Sequence, residues 1–130
     1  MQRIIISLAI LWALPWTLLG LMLGALGLVS GGGAQRRGRV LEFYGGAIHK
    51  LLGHAPVVRG AAAITFGHVV LAQTREELDR CRDHELVHVR QYERWGVFFI
   101  PAYVLCSLIL WARGKHPYRD NPFEIEAYRS

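Results

Sequence analysis

Hydrophobic and polar positions divide the chain into four blocks. The first, IIISLAILWALPWTLLGLMLGALGLV from Ile4 to Val29, carries no charge. At about 1.5 Å per residue, a helix of this length exceeds the roughly 30 Å hydrocarbon core of a bilayer. Secretory signals have apolar cores of about 7–15 residues. The run is therefore read as an uncleaved membrane anchor, with a signal sequence as the alternative because small residues follow it. Gly20 and Gly24 have the spacing that packs one membrane helix on another. Between Arg39 and Ala72 the pattern changes. RVLEFYGG and AAAITFGHVVLA are rich in β-branched and aromatic residues and carry glycines, which predicts two or three strands in a small antiparallel sheet or hairpin. AIHKLLGHAP between them fits a short helix or another strand.

The third block opens at Thr74-Arg75-Glu76-Glu77, the pattern of a capping box, and runs with helical period to Gly96, a natural C-terminal cap. At about 100° per residue, Cys81, His84, His88, Gln91, Tyr92 and Trp95 fall on one side, with Glu85 at its border. Arg90, Glu93 and Arg94 point the other way, towards solvent or a membrane surface. The fourth block, VFFIPAYVLCSLILW from Val97 to Trp111, is apolar but short for a span and contains Pro101. Beyond it, Asn121-Pro122-Phe123-Glu124 reads as a helix start, with Asn as cap and Pro at the first position.

A chain of 130 residues holds one domain at most. The expected organisation is an anchor over residues 1–33 and an α+β domain over 34–130. SGGGAQRRGR from Ser30 to Arg39 is read as a flexible basic linker. The net charge of +5 invites a nucleic-acid reading, but the basic residues are scattered or lie beside the anchor, and no nucleic-acid motif is present. Attraction to anionic membrane lipid is the simpler account. Arg36, Arg37 and Arg39 outnumber Arg3 and the amino terminus, which places the domain on the cytoplasmic side of a single-pass anchor. Cys81 and Cys106, without a CxxC partner, are read as free thiols.

His84-Glu85-Leu86-Val87-His88 carries the chemistry. On a helix its two histidines stand on one face, ready to hold a metal. Glu85 sits beside the metal and takes a proton from the activated water, returning it to the leaving amine. A hydrolytic zinc site needs a third protein ligand. His49, His54 and His116 compete for it, none in a recognisable ligand spacing. Of the acidic residues, Glu93 lies on the wrong face, leaving Glu124 and Glu126, about 200° apart on a helix, so that one at most faces the metal. Gln91 lies on the metal-facing side, His68 sits in a strand, and Tyr118 or Arg119 could stabilise an oxyanion.

HExxH followed on a later helix by Glu124-Ile125-Glu126-Ala127 resembles the gluzincin class of zinc metallopeptidases. Its small members, the minigluzincins and the peptidases related to the ImmA and IrrE regulators, have comparably small cores. The HtpX-type enzymes pair such a site with membrane helices. The resemblance implies zinc held by His84, His88 and Glu124, with Glu85 as catalytic base. It also implies a minimal zincin-like fold of small sheet, motif helix, apolar helix and short ligand helix, and a peptide or protein substrate. Tyr128 stands where those families usually have Asp, which keeps Glu126 open as the ligand.

One topological expectation follows. If His84, His88 and Glu124 bind one ion, the chain must return to the same side after Val97–Trp111. That run is then a core helix, an interfacial helix or a re-entrant hairpin. The alternative function is a non-catalytic membrane protein with a structural zinc site or an interaction role.

Overall fold

The computed structural model describes residues 2–54 and 62–129. Two N-terminal helices, α1 (Gln2–Trp12) and α2 (Leu14–Val29), precede strands β1 (Gly33–Arg37) and β2 (Val40–Tyr44). Helix α3 (Ala47–His54), strands β3 (Ala63–Phe66) and β4 (Val69–Ala72), and the long helix α4 (Arg75–Trp95) follow. A short 3-10 turn at Gly96–Phe98 leads into α5 (Phe99–Ala112), and α6 (Pro122–Tyr128) closes the chain. The α+β class agrees with the sequence reading. The sheet does not match its expected pattern: four strands run in the order β1-β2-β4-β3. The two hairpins are antiparallel, but β2 and β4 pair in parallel, Leu41 opposite Val69.

Alternation along the strands builds two faces. Val69 and Leu71 of β4 join Phe43, Ile48 and Leu52 on one side. Val70 and Ala72 join Val40, Leu78 and Val89 on the other, beneath α4. The first face is covered by α2, which corrects two expectations. Thr17, Gly20, Gly24 and Gly27 are the buried residues of that helix, and their partner is chiefly the sheet rather than another membrane helix. A Cβ at Gly20 would stand 2.7 Å from Val69 Cβ, and one at Gly24 2.6 Å from Phe43 Cδ2, so only glycine permits this approach. The apolar block is also bent. α1 and α2 meet at 67°, and α1 lies against α4 and the 3-10 turn. The segment read as a linker contributes β1, whose Gln35 amide donates to Glu42 at 2.9 Å.

The long helix starts and stops as its sequence predicts. Thr74 Oγ1 accepts from the Glu77 amide at 3.1 Å, and Gly96 ends the helix at φ 59°. Together α4, the turn and α5 form a 38-residue run, Arg75–Ala112, long and apolar enough by composition to cross a membrane. Every charged residue in that run lies at or before Arg94, so its apolar part is α5. Fourteen residues of α5 cover about 21 Å, less than a hydrocarbon core. After Gly114 the chain doubles back. Ser107 Oγ donates to the Pro117 carbonyl at 2.9 Å, and Asn121 Nδ2 donates to the Tyr103 carbonyl at 3.1 Å. Asn121 also caps α6, accepting from the Phe123 amide at 3.0 Å. This return brings α6 alongside α4, as the topological expectation required.

Candidate metal centre

His84 and His88 lie on successive turns of α4, on the side that faces α6. Their Nε2 atoms are 3.2 Å apart, and Glu124 Oε1 stands 3.0 Å from the first and 3.1 Å from the second. Ligand atoms about 2.0–2.1 Å from a tetrahedral zinc are roughly 3.3 Å from one another. The observed triangle is close to that size. The three groups form a cluster able to hold a metal ion.

The hydrogen-bond network around the triangle explains why these atoms converge. The Phe123 carbonyl can only accept, so the Gln91 atom 2.9 Å from it is the amide nitrogen. Gln91 Oε1 therefore faces His88 Nδ1, at 2.8 Å, and that nitrogen carries the proton. Nε2 of a neutral His88 then presents its lone pair to Glu124 and His84. Without a cation, Nε2 tolerates the carboxylate only by holding a second proton. Burial opposes that proton, but Glu124, Glu85 and Gln91 outweigh it and raise the His88 pKa above its ordinary value. Burial likewise works against the Glu124 carboxylate, yet its bonds to the two histidines and Tyr103 hold it down at about 2. A metal ion at this point would be ligated by Glu124 Oε1 and by the Nε2 lone pairs of both histidines, with each imidazole proton on Nδ1. His84 Nδ1 is buried and has no partner among the described residues.

Glu124, rather than Glu126, takes the third position. Glu126 Oε1 accepts from Gln91 Nε2 at 2.8 Å, and its Oε2 lies 3.6 Å from Arg94. The second Glu124 oxygen is held from another helix: Tyr103 of α5 donates its hydroxyl to Glu124 Oε2 at 2.8 Å. The Tyr128 ring instead lies against His84, centroids 4.4 Å apart, and its hydroxyl pairs with that of Tyr118 at 3.0 Å. Tyr103 was not singled out by the sequence; its only signal was a hydroxyl within an apolar helix. Glu85 is buried, and Thr65 of the edge strand β3 donates to its Oε2 at 2.6 Å. Burial raises the Glu85 pKa, opposed by the nearby histidines and Thr65.

The competing candidates lie elsewhere. His49 is exposed on α3, and the His54 side chain lies outside the described residues. His116 Nδ1 accepts from the Tyr118 and Arg119 amides at 3.1 and 2.9 Å. His68 is buried against Glu93, 3.0 Å from its Oε2. Glu93 itself, expected to face outward, is drawn in by His68 and by Nε and Nη2 of Arg39. Cys81 and Cys106 are free, as expected. Comparison of the chain with known protein families, with curated proteins and with solved structures gave no match, so any functional reading rests on this geometry and on the motifs.

Proposed function

We propose that the chain is a membrane-anchored, zinc-dependent metallopeptidase of gluzincin type. One observation carries the reading: His84 Nε2, His88 Nε2 and Glu124 Oε1 converge within 3.0–3.2 Å of one another, with Glu85 next to His84 on the same helix. A zinc ion held there supplies Lewis acidity, polarising the scissile carbonyl and making water easier to deprotonate. Glu85 is the base. With Oε2 engaged by Thr65, Oε1 takes the proton and passes it to the leaving amine. Gln91 and Tyr103 are positioning residues for His88 and Glu124. Tyr128, whose ring lies against His84, and Tyr118, hydrogen-bonded to Tyr128, are the candidate donors for a developing oxyanion. The placement of β3 at the sheet edge, against α4, favours a zincin-like arrangement.

The membrane side of the proposal rests on exposed apolar surface. Ile4, Leu8 and Leu11 of α1, Leu18 and Met22 of α2, and Leu105, Leu108 and Trp111 of α5 are all exposed. Apolar surface on this scale marks a contact with lipid or protein. The anchor is then α1, α2 and the outer face of α5 together, with the arginine-rich hairpin on the cytoplasmic side. A structural zinc site is the second reading, favoured by the burial of Glu85 against Thr65. Peptide cleavage by the zinc-loaded full chain separates the two. The catalytic reading requires turnover that Glu85→Gln abolishes while metal content is unchanged; a zinc-loaded chain without turnover supports the structural reading.

A further inference from the structure

The tip of the β1–β2 hairpin and α4 border a half-open cavity of about 220 Å³, lined by Arg37, Arg39 and Arg90 among others. Arg39 is held by Glu93, with Nη2 to Oε1 at 2.7 Å. Arg37 reaches Glu42 only at 3.4 Å, and Arg82 already holds that carboxylate at 3.0 Å. Arg90 is exposed and has no ion-pair partner among the described residues. The walls of the cavity therefore keep an excess of guanidinium charge. Planar guanidinium forks match phosphate oxygens and are weakly hydrated, so they suit this ligand better than lysines would.

Glu93, the partner of Arg39, borders a shallow open groove whose other walls are Ile5, Leu8, Ala9 and Trp12 of α1. The Arg39–Glu93 ion pair thus links the two, Arg39 lining the cationic cavity and Glu93 the apolar groove. A small soluble anion would use the first and leave the second empty. An amphiphile with an anionic phosphate head and an acyl chain fills both. We infer that this junction binds an anionic phospholipid, its phosphate among Arg37, Arg39 and Arg90 and its chain along Ile5, Leu8 and Trp12. The site lies away from the His84–His88–Glu124 cluster and is independent of the peptidase reading.

The test uses the full chain in non-ionic detergent, titrated with dioctanoyl-phosphatidylglycerol, dioctanoyl-phosphatidylcholine and inorganic phosphate, with binding read by calorimetry. Phosphatidylglycerol binds saturably, at least about tenfold more tightly than phosphatidylcholine or phosphate. Arg37→Gln combined with Arg90→Gln lowers that affinity about tenfold, and Arg90→Lys lowers it by a smaller factor. Leu8→Asn also lowers it. Circular dichroism of each variant matches wild type, because the changed side chains are exposed. Equal binding of the two lipids, or an unaffected double variant, overturns the inference. Phosphate binding as tight as phosphatidylglycerol and indifferent to Leu8→Asn overturns it in favour of a soluble anion site.

Discussion

Tyr103→Phe removes one hydroxyl and little else. The ring keeps its contacts with Phe99 and Phe123, at centroid distances of 6.0 and 6.2 Å. The lost group is the donor 2.8 Å from Glu124 Oε2, on the carboxylate oxygen opposite the metal-facing one. A hydrogen bond to a charged group contributes about 1.5–3 kcal/mol. Loss of an outer partner of a metal ligand typically weakens metal binding by about 10–100-fold, or about 1.4–2.8 kcal/mol. The two ranges agree, so zinc affinity should fall by one to two orders of magnitude. Competition with a chromophoric chelator measures it on the full chain in detergent. Tyr128→Phe is the control, since its hydroxyl pairs with Tyr118 and not with Glu124. If Tyr103→Phe binds zinc as tightly as wild type, the account of how Glu124 is oriented is wrong.

Other expected outcomes bear on the neighbouring parts. Gln91→Leu strands the buried His88 Nδ1 proton at a cost of about 1–3 kcal/mol; thermal unfolding should show the loss in apo and zinc-loaded protein alike, and an unchanged midpoint would refute it. Gly24→Leu forces a side chain into Phe43 and should destabilise by about 1–3 kcal/mol or more, read from chemical denaturation; a neutral result would mean α2 does not rest on the sheet. Burial raises the Glu93 carboxyl, but Arg39 and His68 outweigh it and set it below its ordinary value. Its contribution is therefore present above the unfolded pKa of about 4.5 and lost as pH falls through the lower folded value. Unfolding of the metal-free chain across that range should show a smaller pH dependence in Glu93→Gln, and identical curves would contradict the assignment.

What could be read in advance follows from how local each signal is. The Thr74 cap, the Gly96 stop and the Asn121-Pro122 start are decided within a few residues, and all three hold. The histidine spacing is equally local. The parallel pairing of β2 with β4 depends on a crossover through α3 and β3, which leaves no mark on either strand's alternation. The glycines of α2 carry the same pattern whether they meet a helix or a sheet; the choice was made by the small Val69 and flat Phe43 surface elsewhere in the chain. Glu93 reads as outward by helical angle alone, yet Arg39 and His68, distant in sequence, draw it in. Tyr103 acts on Glu124 only because the chain reverses after Gly114, a consequence of tertiary structure.

The most direct measurement is the metal content of the purified full chain by mass spectrometry, for wild type and four variants. The account predicts near-stoichiometric zinc in wild type, lost in His88→Ala and Glu124→Ala and retained in Glu126→Ala and Glu85→Gln. Wild-type protein that takes up no metal even after zinc loading, or zinc that survives Glu124→Ala, would contradict it.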